Sequence, residues 1–427
     1  MTDFGAATGT VSTVAPQRVR GALPWIVWVL GTLTYLVAIV GRSSLAGLGT
    51  DVAVRFDAGS ATLALFATLQ LAVYGALQVP AGLLLDRFGA RIVVTAGMLI
   101  MAGGSVWLAF AGDATTAIAA RVLTGAGDAL IFPSILRLLA LWFPARRVPF
   151  LQQITAQIGQ LGQVLSVVVL TLLVHVASWE FAFGVLAATF VVFALLDAAL
   201  IRERDRRPAR SAGSPSQFAL LRDAVREPGT RLAFWIHFVT PFAGTAFSLL
   251  WGIPFLTAGE GLSRETASVV FVVFVLGGVV FAPLMGLISG AHPGGRATIA
   301  VVSVLLQAAA LGAVLLIPGP APLWLLVVWV LMISSGAAAS MLAFDVARRD
   351  NPLSRLSTAT GVVNMGGFIA ALVAVYLIGL VLDLQGADPA AYTRVELRWA
   401  MASVCVLWLV GLVGIAVESR RRRRAHP

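Results

Sequence analysis

From residue 23 onward the chain alternates long apolar runs with short polar breaks. The runs fall at 23–48, 61–85, 92–111, 115–142, 148–174, 179–201, 231–256, 266–289, 297–317, 322–346, 356–383 and 395–418. Each is continuous rather than alternating, and each is long enough to cross about 30 Å of hydrocarbon as a helix of roughly 20 residues. In lipid every backbone N–H and C=O must find its partner inside the protein, which a helix achieves alone and a strand only in a closed barrel. The pattern predicts an all-α integral membrane protein with twelve transmembrane helices and no room for a soluble catalytic domain.

The widest polar break, 202–230, reads RERDRRPARSAGSPSQFALLRDAVREPGT and separates six spans from six. Six plus six suggests two pseudo-symmetric bundles with a site between them near the midplane. The expected division is a tail over 1–22, a first bundle over 23–201, a solvated linker over 202–230, a second bundle over 231–418 and a basic tail over 419–427. A repeat supports it. Gly82-Leu-Leu-Leu-Asp86-Arg87-Phe-Gly89-Ala-Arg91 follows the second span, and Gly286-Leu-Ile-Ser-Gly290-Ala-His292-Pro-Gly-Gly-Arg296 follows the eighth. Glycines permit the tight reversal, and Asp86 can pair with an arginine or with the positive start of a neighbouring helix.

Composition agrees: hydrophobic residues make up 59% and charged ones 12%, where a soluble domain carries about 25% charged residues. Mean hydropathy is +0.92. All thirty basic residues are arginine, and they crowd one side of the predicted topology: Arg18, Arg20, Arg87, Arg91, Arg146, Arg147, the linker cluster, Arg296, Arg348, Arg349, Arg355 and the run at 420–424. The other side keeps Arg55, Arg264, Arg394 and Arg398. The positive-inside rule then puts both termini in the cytoplasm of a plasma (inner) membrane. The net charge of +10 reads as topology and contact with anionic lipid, not as nucleic-acid binding, because no folded basic domain presents it. The N-terminal segment does not resemble a cleavable signal. One cysteine, Cys405, excludes an intrachain disulfide and a cysteine-rich metal site.

The loop Gly82-x-x-x-Asp86-Arg87-x-Gly89-x-Arg91 resembles the signature between helices 2 and 3 of the major facilitator superfamily, and Arg121-x-x-x-Gly125-x-Gly127 resembles its helix-4 motif. The resemblance implies two six-helix bundles rocking about a central cavity, with the loop as a cytoplasmic latch. Its second copy carries Gly290 where an aspartate is usual, which argues against a symmetric latch.

Charge inside a span is costly, about 2.5–3.5 kcal/mol at a helix centre on insertion scales, so each such residue needs a reason. Arg137 lies near Trp142-Phe-Pro144 at the inner interface. It can snorkel or join the latch with Asp86. Asp197 and Asp345 are likewise expected at the rim or in the latch. Arg121 and Asp128 are seven residues apart, almost two turns, and share a helical face. They read either as a static ion pair or as a proton site, since a carboxylate withdrawn from water can exchange protons near neutral pH. Arg42 lies about 21 Å along the helix from Trp28, which fits either the cavity or the outer interface.

Arg42 on helix 1, Tyr74-Gly75 on helix 2, and Gly125-Ala-Gly-Asp128-Ala-Leu-Ile-Phe132-Pro133 with Trp142-Phe-Pro144 on helix 4 resemble the anion:cation symporter branch of the superfamily, which includes sialin-like and sugar-acid transporters. That resemblance implies that Arg42 and Tyr74 contact a substrate carboxylate and that Asp128 takes the coupling proton. Aspartate stands here where the branch has glutamate, and helix 7 reads Trp251-Gly-Ile-Pro254-Phe-Leu. Gln160 is the first choice among Gln157, Gln160 and Gln163 to face the cavity. His237 and Asn364 can complete the pocket or bond within the protein.

No metal-ligand spacing occurs, and no phosphate-binding loop couples ATP, so transport driven by a gradient is expected, with the proton as coupling ion and no cofactor. The expected protein is a monomeric proton-coupled symporter of a small organic anion, a monocarboxylate since one arginine faces one cavity acid. Two other readings stand beside it: a proton-driven exporter of lipophilic or cationic compounds, and a transporter-like membrane sensor.

Overall fold

The computed structural model describes residues 21–57, 66, 69–70, 72–203, 216–388 and 391–425. Among the described residues, twelve helices carry the fold: α1 (Leu23–Arg42), α2 (Gln78–Phe88), α3 (Ala90–Ala109), α4 (Ala114–Trp142), α5 (Val148–Val176), α6 (Trp179–Leu200), α7 (Pro228–Gly259), α8 (Arg264–Ala291), α9 (Arg296–Leu316), α10 (Leu323–Asp350), α11 (Leu356–Leu384) and α12 (Arg394–Arg422). All except α2 are long and apolar enough to cross a membrane. The first part of the predicted second span is only partly within the described residues. Residues 1–20 of the predicted tail over 1–22, with Arg18 and Arg20, the linker residues 204–215 and residues 426–427 lie outside them.

Local sequence sets the helix ends. Asp113 and Thr116 cap α4 reciprocally, Thr393 and Glu396 do the same for α12, and Ser178 and Ser263 cap α6 and α8, each satisfying N–H groups that a helix start leaves free. Two of the internal breaks fall near prolines. Pro133 lacks an N–H, so the carbonyl of Ala129 has no helical donor, and α4 divides into Ala114–Asp128 and Ile131–Trp142. Asp128 therefore sits at a discontinuity. Its counterpart α10 breaks at Met341, and α7 breaks before Phe242, beside Pro241.

In the first bundle α3 packs against α4 and α6, and α1 against α5 and α4. The second bundle repeats the scheme, with α9 against α10 and α7 against α11, α12 and α10. The bundles meet along two equivalent seams, α2 on α11 and α5 on α8. At the first seam the backbones are so close that a Cβ on Gly82 would strike the Ser357 carbonyl, and one on Gly361 the Gln78 carbonyl.

The structure departs from the expected pattern in three places. The first helix ends at Arg42 rather than 48, and residues 43–47 form turns. The linker holds a helix, Gln217–Arg226, started by the Ser216 hydroxyl, and α7 begins at Pro228 rather than 231. The terminal arginine run is helical too: the second part of the last helix, Cys405–Ala425, runs on three residues past the α12 span.

Candidate functional site

The end of α1 and the break in α4 meet at Arg42 and Asp128. Arg42 Nε donates to Asp128 Oδ2 at 2.6 Å and Nη2 donates to Oδ1 at 3.0 Å. The carboxylate is fully buried, while a quarter of the arginine side chain remains exposed. This side-on geometry uses one edge of the guanidinium and leaves the rest of the fork for another acceptor. Tyr74 lies beneath it, with the guanidinium carbon 4.4 Å from the ring centre. A cavity of about 340 Å³ opens over the three side chains, and Arg121 lines it as well. The structure thus gathers Arg42, Tyr74, Asp128 and Arg121, which come from three helices, around one space.

Arg121 is buried, but its partners are not the carboxylate. It donates to the carbonyls of Gly41 at 3.0 Å and Arg42 at 2.6 Å, to the Ser44 hydroxyl at 2.7 Å, and to Gln70 Oε1. A helix end leaves its last carbonyls without donors, and Arg121 fills that role for α1. It therefore fixes where α1 stops and where the Arg42 side chain departs.

The other expected pocket residues are dispersed. Gln163, not Gln160, lines the cavity, and its amide donates to Gln160 Oε1 at 2.7 Å. His237 and Asn364 lie in the α2–α11 seam instead. Asn364 Nδ2 donates to Gln78 Oε1 at 2.6 Å, Gln78 Nε2 donates to the Tyr74 carbonyl at 3.1 Å, and Asn364 Oδ1 lies 3.2 Å from His237 Nε2. His237 Nδ1 is 3.2 Å from the Ser340 carbonyl. Both ring nitrogens face acceptors, so a neutral imidazole can donate to one and an imidazolium to both. This chain ties the two bundles together beneath the cavity.

The latch lies at the arginine-rich end. Asp86 accepts from Arg137 Nη1 at 3.0 Å, from the backbone N–H of Ser357 at 3.1 Å and of Thr358 at 2.7 Å, and from the Thr358 hydroxyl at 2.7 Å. An acid from the first bundle thus caps the positive start of α11 in the second. Arg137 also donates to the Ser357 hydroxyl at 3.1 Å, the Leu353 carbonyl at 3.2 Å and Glu203 at 3.3 Å. Gly89, at φ 86°, makes the reversal into α3 that only glycine adopts without strain. Glu203 then accepts from the Ala90 N–H at 2.5 Å.

Arg87 and Arg91, expected in the latch, do not join it: both are exposed, and Arg87 lies over the Phe88 ring. Asp197 is buried inside the first bundle, where the Thr34 hydroxyl donates to it at 2.9 Å. Asp345 stays within the second, bound by Ser289 at 2.6 Å and Arg348 at 2.7 Å. Gly290 packs against the Arg146 carbonyl in place of a second acid. Sequence reading missed Gln70, Gln78, Glu203, Ser357 and Thr358. Glu203 was hidden in the linker's charge run, and the others look like ordinary polar residues of apolar helices.

Two helical bundles, a mostly apolar cavity with charged side chains in its wall and a bonded seam at one end define a multi-pass helical membrane protein. The sequence matches the Major Facilitator Superfamily over residues 31–375, and the chain belongs to that family. It is 26% identical over 178 residues to a Cupriavidus necator protein named as a probable sulfoacetate transporter, SauU, covering 42% of this chain and 41% of that one. It is 26% identical over 197 residues to the D-galactonate transporter of Escherichia coli O6:H1, covering 44% and 42%. These matches span about two-fifths of the relatives' lengths. The fold resembles that of the E. coli fucose:proton symporter FucP, with a TM-score of 0.65 at 15% identity, covering 92% of this chain and 99% of that one.

Proposed function

We propose that the protein is a proton-coupled symporter of a small organic anion, a monocarboxylate in the simplest case, working by alternating access with both termini in the cytoplasm. The observation that carries this reading is the pair of Arg42 and Asp128 in the wall of the cavity. While Asp128 is ionised it occupies one edge of Arg42 and neutralises it. A proton on Asp128 releases that charge for a substrate carboxylate, so proton and anion bind together.

The charge count agrees. Arg42, Arg121 and Asp128 are the charged residues lining the cavity among the described residues, and together they carry a formal charge of +1. One proton and one monoanion leave that charge unchanged, so the loaded and empty sites face the same electrostatic cost of crossing the membrane. The excess positive charge turns cations away, which opposes export of cationic compounds. The acid substrates in the relatives' names support an anion. The bonds at the arginine-rich end support a conformation closed to the cytoplasm. In this reading the proton is the sole coupling ion and no cofactor takes part.

Purified protein should be stabilised against heat by small acids, more strongly at pH 5.5 than at pH 7.5. In proteoliposomes, the same acids should accumulate when an inward proton gradient is imposed. Stabilisation by cationic dyes alone would overturn the reading.

A further inference from the structure

Gln70 is 97% shielded from solvent, yet it lines the cavity beside Arg42, Tyr74 and Asp128. The oxygen and nitrogen of a glutamine amide are usually assigned from their partners, and here the partner allows one answer. A guanidinium only donates, so the contact from Arg121 Nη2 fixes Oε1 on the arginine. The NH2 group must then point the other way. Gln70 Nε2 is buried without a hydrogen-bond partner among the described residues. Such a donor is costly to leave unmet, and because Gln70 lines the cavity, a small turn of its side chain would present the N–H to a ligand there.

The remainder of the wall sets a second condition. Leu45, Ala46, Val52, Phe66 and Leu249 face the same space, and most of its exposed surface is apolar. Among the described residues, Leu249 is the lining residue that the second bundle contributes. Hydroxyl groups along the length of a substrate would find few partners on this wall beyond Ser43 and Gln163, and each one left unpaired carries a cost.

We propose that Gln70 is a specificity residue whose free amide N–H selects organic acids bearing an acceptor oxygen beside the carboxylate, that is 2-hydroxy or 2-oxo acids, with an apolar remainder. This rests on the reading of the cavity as an organic-anion site. Arg42 takes the carboxylate, Gln70 the neighbouring oxygen, and the apolar wall the rest. Polyhydroxy acids fit poorly for the same reason.

The test compares hexanoate, 2-hydroxyhexanoate and gluconate on the full-length protein, by calorimetry at a pH where binding is strongest. The 2-hydroxy acid should bind about tenfold or more tighter than hexanoate, the range expected when a buried donor is satisfied, and gluconate should bind more weakly than the 2-hydroxy acid. Gln70→Glu keeps an acceptor for Arg121 and removes the donor. Its added charge weakens both monocarboxylates alike, so the ratio between them is the readout, and it should fall to about one. Gln70→Leu should also remove the preference.

A wild-type ratio near one, with binding still lost in Arg42→Lys, would overturn the role of Gln70 and leave the organic-anion reading intact. An undiminished ratio in Gln70→Glu would do the same. Gluconate binding tighter than 2-hydroxyhexanoate would overturn the apolar remainder. If none of the three acids bound the wild-type protein, the organic-anion reading itself would fall, and this inference with it.

Discussion

Arg42 holds both oxygens of Asp128, at 2.6 and 3.0 Å, from a helix end that Arg121 pins in place. Charge, geometry and position are therefore fixed by three residues on two helices. Each makes a separable contribution.

Arg42→Lys keeps the charge but cannot bridge Asp128 and a substrate carboxylate through a planar fork. The variant should fold and bind organic anions roughly 10- to 100-fold more weakly, the loss expected for hydrogen bonds to charged groups. Calorimetry with the tightest-binding acid checks this. Unchanged affinity would show that Arg42 serves only Asp128.

Asp128→Asn imitates the protonated carboxyl permanently. Wild-type affinity should rise as pH falls, because substrate and proton assist each other equally, and the variant should lose most of that dependence. Reconstituted in liposomes, it should exchange labelled substrate for unlabelled but not accumulate it under an imposed proton gradient. Accumulation by the variant would place the coupling proton elsewhere.

Arg121→Met leaves the Gly41 and Arg42 carbonyls, Ser44 and Gln70 without their donor in a buried setting. The expected cost is at least about 1.5–3 kcal/mol, what a single hydrogen bond from a charged group contributes. Thermal unfolding in detergent should show it as a lowered midpoint. An unaltered midpoint would mean that α1 ends at Arg42 without help.

Asp86→Asn removes the charge that caps α11 and receives Arg137. Asn364→Ala breaks the link to Gln78 and leaves His237 with the Ser340 carbonyl alone. Both should shift the protein toward opening at the arginine-rich end. A cysteine at Thr360, a buried residue of the seam, should then react with maleimide roughly 5-fold faster or more, the effect of losing about 1 kcal/mol from the closed state. Equal rates in both variants and the parent would show that the seam holds without these bonds.

Much of the site could be placed by counting. Arg42 lies fourteen residues beyond Trp28, and Asp128 fourteen before Trp142, so each is about 21 Å of helix from the same face at 1.5 Å per residue. Equal depth on two apolar helices is a one-dimensional property, and so are the span pattern, the arginine bias and the glycine-bounded latch loop. The hydrophobic runs alone determined the fold class because lipid accepts little besides helices.

Contacts between helices depend instead on rotation and tilt, to which that pattern is nearly blind when a helix is apolar on every side. The tertiary structure therefore decided that Asp128 turns to Arg42 while Arg121 turns to the end of α1, and that Gln163 rather than Gln160 meets the cavity. It also drew His237 and Asn364 into the seam, and it took Asp197 away from the latch to Thr34. Buried polar groups go wherever their hydrogen bonds can be completed, and in a membrane those partners come from helices far apart in the chain.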